Sequence, residues 1–251
     1  METLKGKVAI VTGATAGIGR TTALLFAKHG VKVVAAGRDV QAGAILVDEI
    51  KSMGGEALFV QTEISEAQSV QALVAAATKH FGGLDFAFNN AGTEGIVEDL
   101  VAAEEDTWER VIDTNLKSVW LCMKYEIPAI SKRGGGAIIN TSTNLTKLGL
   151  PGTSIYTASK GGVEALTQVA AVEHGKQGVR INAICPGAID TAMLRRLHNA
   201  DEIAKLAKLT PLGMLPETED IAQTVLWLCS PAARCITGVA IVIDGGASLL
   251  C

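Results

Sequence analysis

Tyr156 and Lys160 stand four residues apart in the run Tyr156-Thr157-Ala158-Ser159-Lys160. On a helix this spacing puts both side chains on one face, one turn apart. A phenol with a reference pKa near ~10 is a poor acid–base group at neutral pH. A fixed ammonium beside it favours the phenolate, and each pKa unit of depression is worth about 1.4 kcal/mol. Tyr-x-x-x-Lys arises by chance on many surface helices, so its meaning depends on what accompanies it.

What accompanies it is a glycine-rich turn about 140 residues earlier, Thr12-Gly13-Ala14-Thr15-Ala16-Gly17-Ile18-Gly19. It follows the apolar run Val8–Val11 and opens a helical pattern over Gly17–His29. Glycines there permit a tight turn and close backbone approach to a pyrophosphate, and the helix N-terminus offers free N–H groups. Gly13, Thr15, Gly17, Ile18 and Gly19 are therefore candidate cofactor contacts. The spacing is Gly-x-x-x-Gly-x-Gly rather than Gly-x-Gly-x-x-Gly. A dinucleotide turn combined with an activated phenol points to hydride transfer.

The elements that must position these groups alternate along the chain. Strand-like runs are expected at Val8–Val11, Val31–Ala36, Ala57–Gln61, Leu84–Phe88, Ala137–Thr141, Arg180–Ile184 and Val239–Ile243. Helices are expected at Gly17–His29, Gln41–Met53, Ala67–Phe81, Thr107–Ser131, Ile155–Gln177 and Thr218–Leu228. This order implies one α/β domain over residues 1–251, a doubly wound, Rossmann-like parallel sheet of about seven strands with helices on both faces. Ligands of such sheets bind beyond the carboxyl ends of the strands. Gly13, Arg38, Glu63, Asn89 and Thr143 follow successive strands and fall there together.

Composition narrows the classes. Hydrophobic residues make up 48% and the net charge is −4, without the basic block of a nucleic-acid binder. No apolar stretch suggests a membrane span, and Met1–Lys7 lacks a signal-peptide core. Cys122, Cys185, Cys229, Cys235 and Cys251 show no C-x-x-C spacing and read as reduced thiols of a cytoplasmic protein. The four histidines are scattered, so no metal site is expected.

The second strand ends Ala36-Gly37-Arg38-Asp39. An acid about 20 residues beyond the turn suits the ribose of NAD, whereas an arginine suits a 2′-phosphate. Gly37 carries no side chain, and the Arg38 guanidinium can pair bidentately with phosphate. NADP(H) is expected. NAD(H) stays open through Asp39, which could instead cap the next helix.

Thr12–Gly19, Asn89-Asn90-Ala91-Gly92, Asn115, Tyr156 with Lys160, Pro186-Gly187 and Asp244-Gly245-Gly246 occur in the order found in short-chain dehydrogenases/reductases. The chain resembles the single-domain branch of that family over nearly its whole length. The resemblance implies that Tyr156 is the acid–base group. Lys160 would lower its pKa and bind the nicotinamide ribose, and Asn115 would help hold a relay water. It places the family serine at Thr143, thirteen positions before Tyr156, with Ser142 as the alternative. A threonine can donate as serine does, but its methyl crowds the pocket. Glu63 and Ile64 would lie near the adenine. Asn89, Ala91, Gly92, Pro186, Gly187, Ile189 and Thr191 would line the cofactor. Asp244-Gly245-Gly246 would form a structural terminus.

A substrate lid is expected over residues 191–215, rich in leucine and methionine and suited to a modest ketone or secondary alcohol. Glu94 is either an exposed loop acid or a pocket residue. A 3-oxoacyl-carrier-protein reductase is the rival reading, with Lys132-Arg133 and Arg195-Arg196 to meet an acidic carrier. A noncatalytic cofactor-binding scaffold is the third. Relatives assemble as tetramers through two long helices, which implies a homotetramer built on Thr107–Ser131 and Ile155–Gln177.

Overall fold

The computed structural model describes residues 4–250; Cys251 and residues 1–3 of the Met1–Lys7 stretch lie outside them. Strands β1 (Val8–Thr12), β2 (Lys32–Gly37), β3 (Ala57–Gln61), β4 (Phe86–Asn89), β5 (Gly136–Thr141), β6 (Val179–Pro186) and β7 (Ala240–Ile243) form one sheet. Its order is β3-β2-β1-β4-β5-β6-β7, and every neighbouring pair is parallel. Winding runs outward in both directions from the β1–β4 pair, which makes their carboxyl ends the topological switch point. All five residues of β1 are buried because helices cover both sides. Ala9 and Val11 enter one apolar layer, and Val8 and Ile10 the other.

The first layer is closed by α1 (Gly17–Lys28), α2 (Val40–Ser52) and α9 (Thr218–Cys229), which supply Phe26, Leu46 and Leu226. The second is closed by α3 (Ala67–Phe81), α5 (Ser118–Lys132) and α6 (Ser154–His174), with Leu73, Ile130 and Val163. The helix expected at Thr107–Ser131 begins slightly earlier. It runs as α4 (Glu105–Ile112), a π-helical turn over Asp113–Lys117, and then α5. Periodicity does not distinguish one wide turn inside a helix from a regular one. Beyond His174, α6 gives way to a 3-10 turn over Gly175–Gln177. Residues 191–215, where a lid is expected, hold two short helices, α7 (Ala192–Leu197) and α8 (Ala200–Lys208). The second is started by a capping box in which Asn199 and Glu202 bond each other's backbone N–H.

A polar chain crosses the second apolar layer. Asn89 Nδ2 donates to Glu126 Oε2 and Asn140 Oδ1, each at 3.0 Å, and Asn140 Nδ2 donates to Thr167 Oγ1 at 3.0 Å. Burial raises the Glu126 carboxyl from 4.5 to about 7, against the lowering effect of its Asn89 bond. Its Oε1 and the Asn89 Oδ1 have no partner in the protein. The folded chain therefore holds a proton that the unfolded chain releases above the ordinary glutamate value. Glu126 contributes its full stability below about 4.5, and that contribution falls as pH rises to about 7. The expected loss across this window is on the order of 3 kcal/mol. Glu126→Gln should remove it, so the stability difference between variant and wild type, measured by urea unfolding, should grow in the variant's favour from pH 4.5 to 7. A pH-independent difference would show that Glu126 does not titrate there.

Candidate active site

Lys160 is 3% exposed, a buried cation on the second turn of α6. Its Nζ donates to the Thr141 carbonyl at the end of β5, at 2.8 Å. A Cβ placed on Gly92 would lie 3.3 Å from this Nζ and 3.2 Å from Asn115 Oδ1, so a glycine lets the loop after β4 close onto both. The π-helical turn carries Asn115 into the same corner. Asn115 accepts from Thr93 N at 2.8 Å and donates to Thr93 O at 2.9 Å and Ser159 Oγ at 3.1 Å. Ser159 Oγ in turn donates to Tyr156 O at 2.6 Å. Ser159 and Thr93 were not singled out from sequence; their roles depend on the bulge that brings Asn115 to them.

Tyr156 occupies the first turn of α6, where the helix dipole favours negative charge. The Lys160 Nζ lies 6.0 Å from the centre of its ring. Burial pushes Tyr156 up to about 12, a hydrogen bond with Thr143 acts to lower it, and the Glu94 carboxylate pushes it further up. Burial also brings Lys160 down to about 8. The ammonium itself is directed at the Thr141 carbonyl.

Thr143 and Ser142 part at the end of β5, as successive strand residues do. Thr143 faces the phenol and accepts from Leu145 N at 3.3 Å. Ser142 Oγ donates to Glu164 Oε1 at 2.8 Å on the other side. The Ser142 hydroxyl is thus engaged by Glu164 and the Lys160 carbonyl rather than by the phenol.

The glycine turn lies at the switch point. Gly13 and Gly17 have φ of 62° and 50°, and a Cβ on Gly19 would come within 2.3 Å of Gly13 O. Ala16 caps α1 without a side-chain bond, which leaves the first N–H groups available to an anion. Half-buried Thr15 approaches Gly37, and Thr191 Cγ2 lies 3.5 Å from where a Gly17 Cβ would stand. Ile18 packs on the first apolar layer. These features fit a dinucleotide pyrophosphate.

Asn90 holds the turn, with its Nδ2 donating to Thr12 O at 3.1 Å and its N donating to Thr12 Oγ1 at 2.9 Å. The Asn89 side chain instead points into the core polar chain, which leaves its backbone to face a cofactor. The motif named both asparagines, but only strand alternation separates their directions. Arg38 is exposed at the end of β2, whereas Asp39 Oδ1 accepts from Ala42 N at 3.0 Å and caps α2. Glu63 Oε1 accepts from Ser65 Oγ at 2.9 Å, folding this acid towards its own turn. Ile64 is buried in a small cluster against Ala91. Pro186 ends β6, and a Cβ on Gly187 would meet that of Asp244 at 2.6 Å. The Ile189 side chain lies in the core, leaving its backbone to face a ligand.

Glu94 is half-buried and joined to the lid. Arg196 Nε donates to its Oε1 at 2.7 Å and Nη2 donates to its Oε2 at 3.1 Å. The bond to Arg196 holds the Glu94 carboxyl below its usual value. A second fork joins Arg195 of α7 to Asp190, just before that helix, at 2.7 Å and 3.0 Å.

With this geometry, comparison with known proteins is direct. Residues 13–248 match the family model described as Enoyl-(Acyl carrier protein) reductase. The cyclohexanol dehydrogenase of Acinetobacter sp. (strain SE19) is 42% identical over 239 residues, covering 95% of this chain and 94% of that protein. A short-chain type dehydrogenase/reductase from Mycobacterium ulcerans superposes with a TM-score of 0.94 at 28% identity, covering 98% of this chain and 91% of that one. The 3-ketoacyl-(acyl-carrier-protein) reductase of Brucella melitensis, solved in complex with NADH, superposes with a TM-score of 0.90 at 34% identity, covering 98% and 99%. The chain belongs to the short-chain dehydrogenase/reductase family, and it is an oxidoreductase with a nicotinamide-binding fold.

The Glu94–Arg196 fork is a bidentate, geometrically specific tie between α7 and the loop after β4. Arg196→Gln should raise amide exchange several-fold in Ala192–Leu197 while leaving α6 unchanged. Unaltered exchange would mean that other contacts hold α7.

Proposed function

We propose that this oxidoreductase transfers a hydride between NADP(H) and a ketone or secondary alcohol. The observation that carries this reading is the convergence of Tyr156, Thr143 and Lys160 beside the loop after β4, whose Gly92 approaches Lys160 and whose Ala91 approaches Gly13 of the glycine turn. The nicotinamide supplies or accepts the hydride. Tyr156 gives its hydroxyl proton to the carbonyl oxygen during reduction and recovers it from the alcohol during oxidation. The Thr143 hydroxyl polarises the carbonyl oxygen. Lys160 holds the ribose hydroxyls of the nicotinamide half, and Asn115 positions the loop and helix around them.

Gly13, Thr15, Gly17, Ile18 and Gly19 would hold the pyrophosphate. Ala91, Gly92, Pro186, Gly187, Ile189 and Thr191 would line the nicotinamide half, and Ile64 with Glu63 the adenine end. Arg38 would bind the 2′-phosphate. This preference is supported by the missing side chain at Gly37 and by the commitment of Asp39 to a helix cap. The relative that acts on cyclohexanol supports starting with alicyclic alcohols and ketones. The carrier-protein reading has less support, because Arg133 bonds Asp85 and Gly82 O, and Arg195 and Arg196 are paired with Asp190 and Glu94.

Assembly as a homotetramer is part of the proposal. An apolar groove between the π-helical turn, α5 and α6 is lined by Leu116, Trp120, Leu166 and Val169, and the last is 57% exposed. A second copy presenting the same groove would cover it. Val169→Asp should reduce the mass seen by sedimentation equilibrium from tetramer to a smaller species; a wild-type monomer would reject the assembly.

The central test offers NADPH and NADH separately with cyclohexanone and a panel of related ketones at neutral pH. Faster NADPH oxidation is expected, with the preference weakened by Arg38→Ala. Tyr156→Phe should lower turnover roughly 10²–10⁴-fold, the usual weight of general acid–base catalysis, while cofactor fluorescence still reports binding. Turnover retained in this variant would reject the acid–base assignment.

A further inference from the structure

Glu164 stands one turn beyond Lys160 on α6, outside the reacting groups, yet it gathers the residues that flank Thr143. Its Oε1 accepts from Ser142 Oγ at 2.8 Å, Thr146 Oγ1 at 2.6 Å and Cys185 Sγ at 3.5 Å. Its Oε2 receives Lys147 Nζ at 2.6 Å. Ser142 Oγ also lies 3.2 Å from Lys160 O, and Thr146 Oγ1 lies 2.9 Å from Thr143 O. One carboxylate, 11% exposed, thus ties the end of β5, the 3-10 turn Asn144–Lys147 and β6 to the helix that carries Tyr156 and Lys160.

We propose that Glu164 is the positioning residue that sets Thr143 against Tyr156. Thr143 lies two residues beyond Thr141, the last residue of β5, where the sheet ladder no longer holds the backbone. A β-branched side chain has few rotamers with which to correct a misplaced backbone, so its direction depends on the segments on either side. Glu164 anchors both. Its bonds to Ser142 and Thr146 are charge-assisted, and the partly buried setting strengthens them. The charged or titratable groups facing it are Lys147 from the 3-10 turn and Cys185 from β6. Those bearing on the phenol are Lys160 on the same helix and Glu94 from the loop after β4.

This inference rests on the acid–base role proposed for Tyr156, and its test separates the two. Turnover and NADPH affinity are measured for Glu164→Ala, Glu164→Gln, Thr143→Val and the double variant Thr143→Val/Glu164→Ala, with Glu173→Gln as a control on the same helix. The expected result for Glu164→Ala is a roughly tenfold lower kcat, with KM for NADPH unchanged. Glu164→Gln, which keeps the Oε1 acceptor, should recover most of that loss. On the Thr143→Val background, Glu164→Ala should cost little more, because the two act through one bond.

A second readout needs no turnover. The chain has 2 tyrosines, so 13Cζ-tyrosine NMR of the cofactor-free protein gives separate Tyr125 and Tyr156 signals, assigned with Tyr156→Phe. The Tyr156 signal should move the same way in Glu164→Ala as in Thr143→Val. Additive kcat losses, or a Tyr156 signal unmoved while Tm drops, would overturn the proposal and leave Glu164 a purely structural residue. If Glu164→Ala does not fold, Ser142→Ala, which cuts the tie from the strand side, replaces it in the same cycle with the same two outcomes. Activity retained by Tyr156→Phe would reject the acid–base reading alone, while the NMR shifts still decide whether Glu164 places Thr143.

Discussion

A cation kept away from water sets the terms for the carboxyl end of this sheet. Lys160 is nearly inaccessible and has one backbone carbonyl, that of Thr141, at bonding distance. Burying an ammonium costs several kcal/mol unless its donors are met. The surrounding chain meets one of its three donors by fixing α6 against the end of β5, and leaves Gly92 without a side chain beside it. The same contact fixes Tyr156 one turn earlier and Glu164 one turn later on α6. A shift of α6 along its axis would break the Lys160 bond, so the register of the whole site follows from that bond.

Two further constraints keep the sheet and the site in one frame. At the switch point, Asn90 and the Thr12 hydroxyl join the ends of β4 and β1, so the glycine turn and the Gly92 loop cannot move independently. In the second apolar layer, the π-helical turn redirects the chain enough to put Asn115 between Thr93 and Ser159. A regular helix through Asp113–Lys117 would rotate that amide away from both. Wide turns of this kind are uncommon and often found at functional sites, since they are kept only where neighbours favour them.

Three glutamates show how depth and partners decide what a carboxyl group does. Glu126 is buried beside amides alone, so it takes up a proton more readily than a free glutamate. Glu164 meets a lysine and two hydroxyls, and these hold it ionised despite partial burial. Glu94 meets a guanidinium at the cleft and keeps its charge, close enough for its field to reach the phenol. Desolvation acts on all three, and only hydrogen-bonded or charged partners reverse it.

Much of this was legible in the residues alone. Seven apolar runs and the helices between them define a doubly wound sheet, because a strand buried on both faces must be apolar throughout. The glycine turn and the Tyr156–Lys160 spacing are equally local, since they depend on backbone freedom and helical geometry. Thr143 was separable from Ser142 only by counting, until the two directions of β5 placed one at the phenol and the other at Glu164. The side-chain directions of Asn89 and Asn90, the π-helical turn and the lid helices were decided by tertiary packing. Local sequence specifies what a segment prefers, but desolvation and long-range hydrogen bonds exist only after distant segments meet.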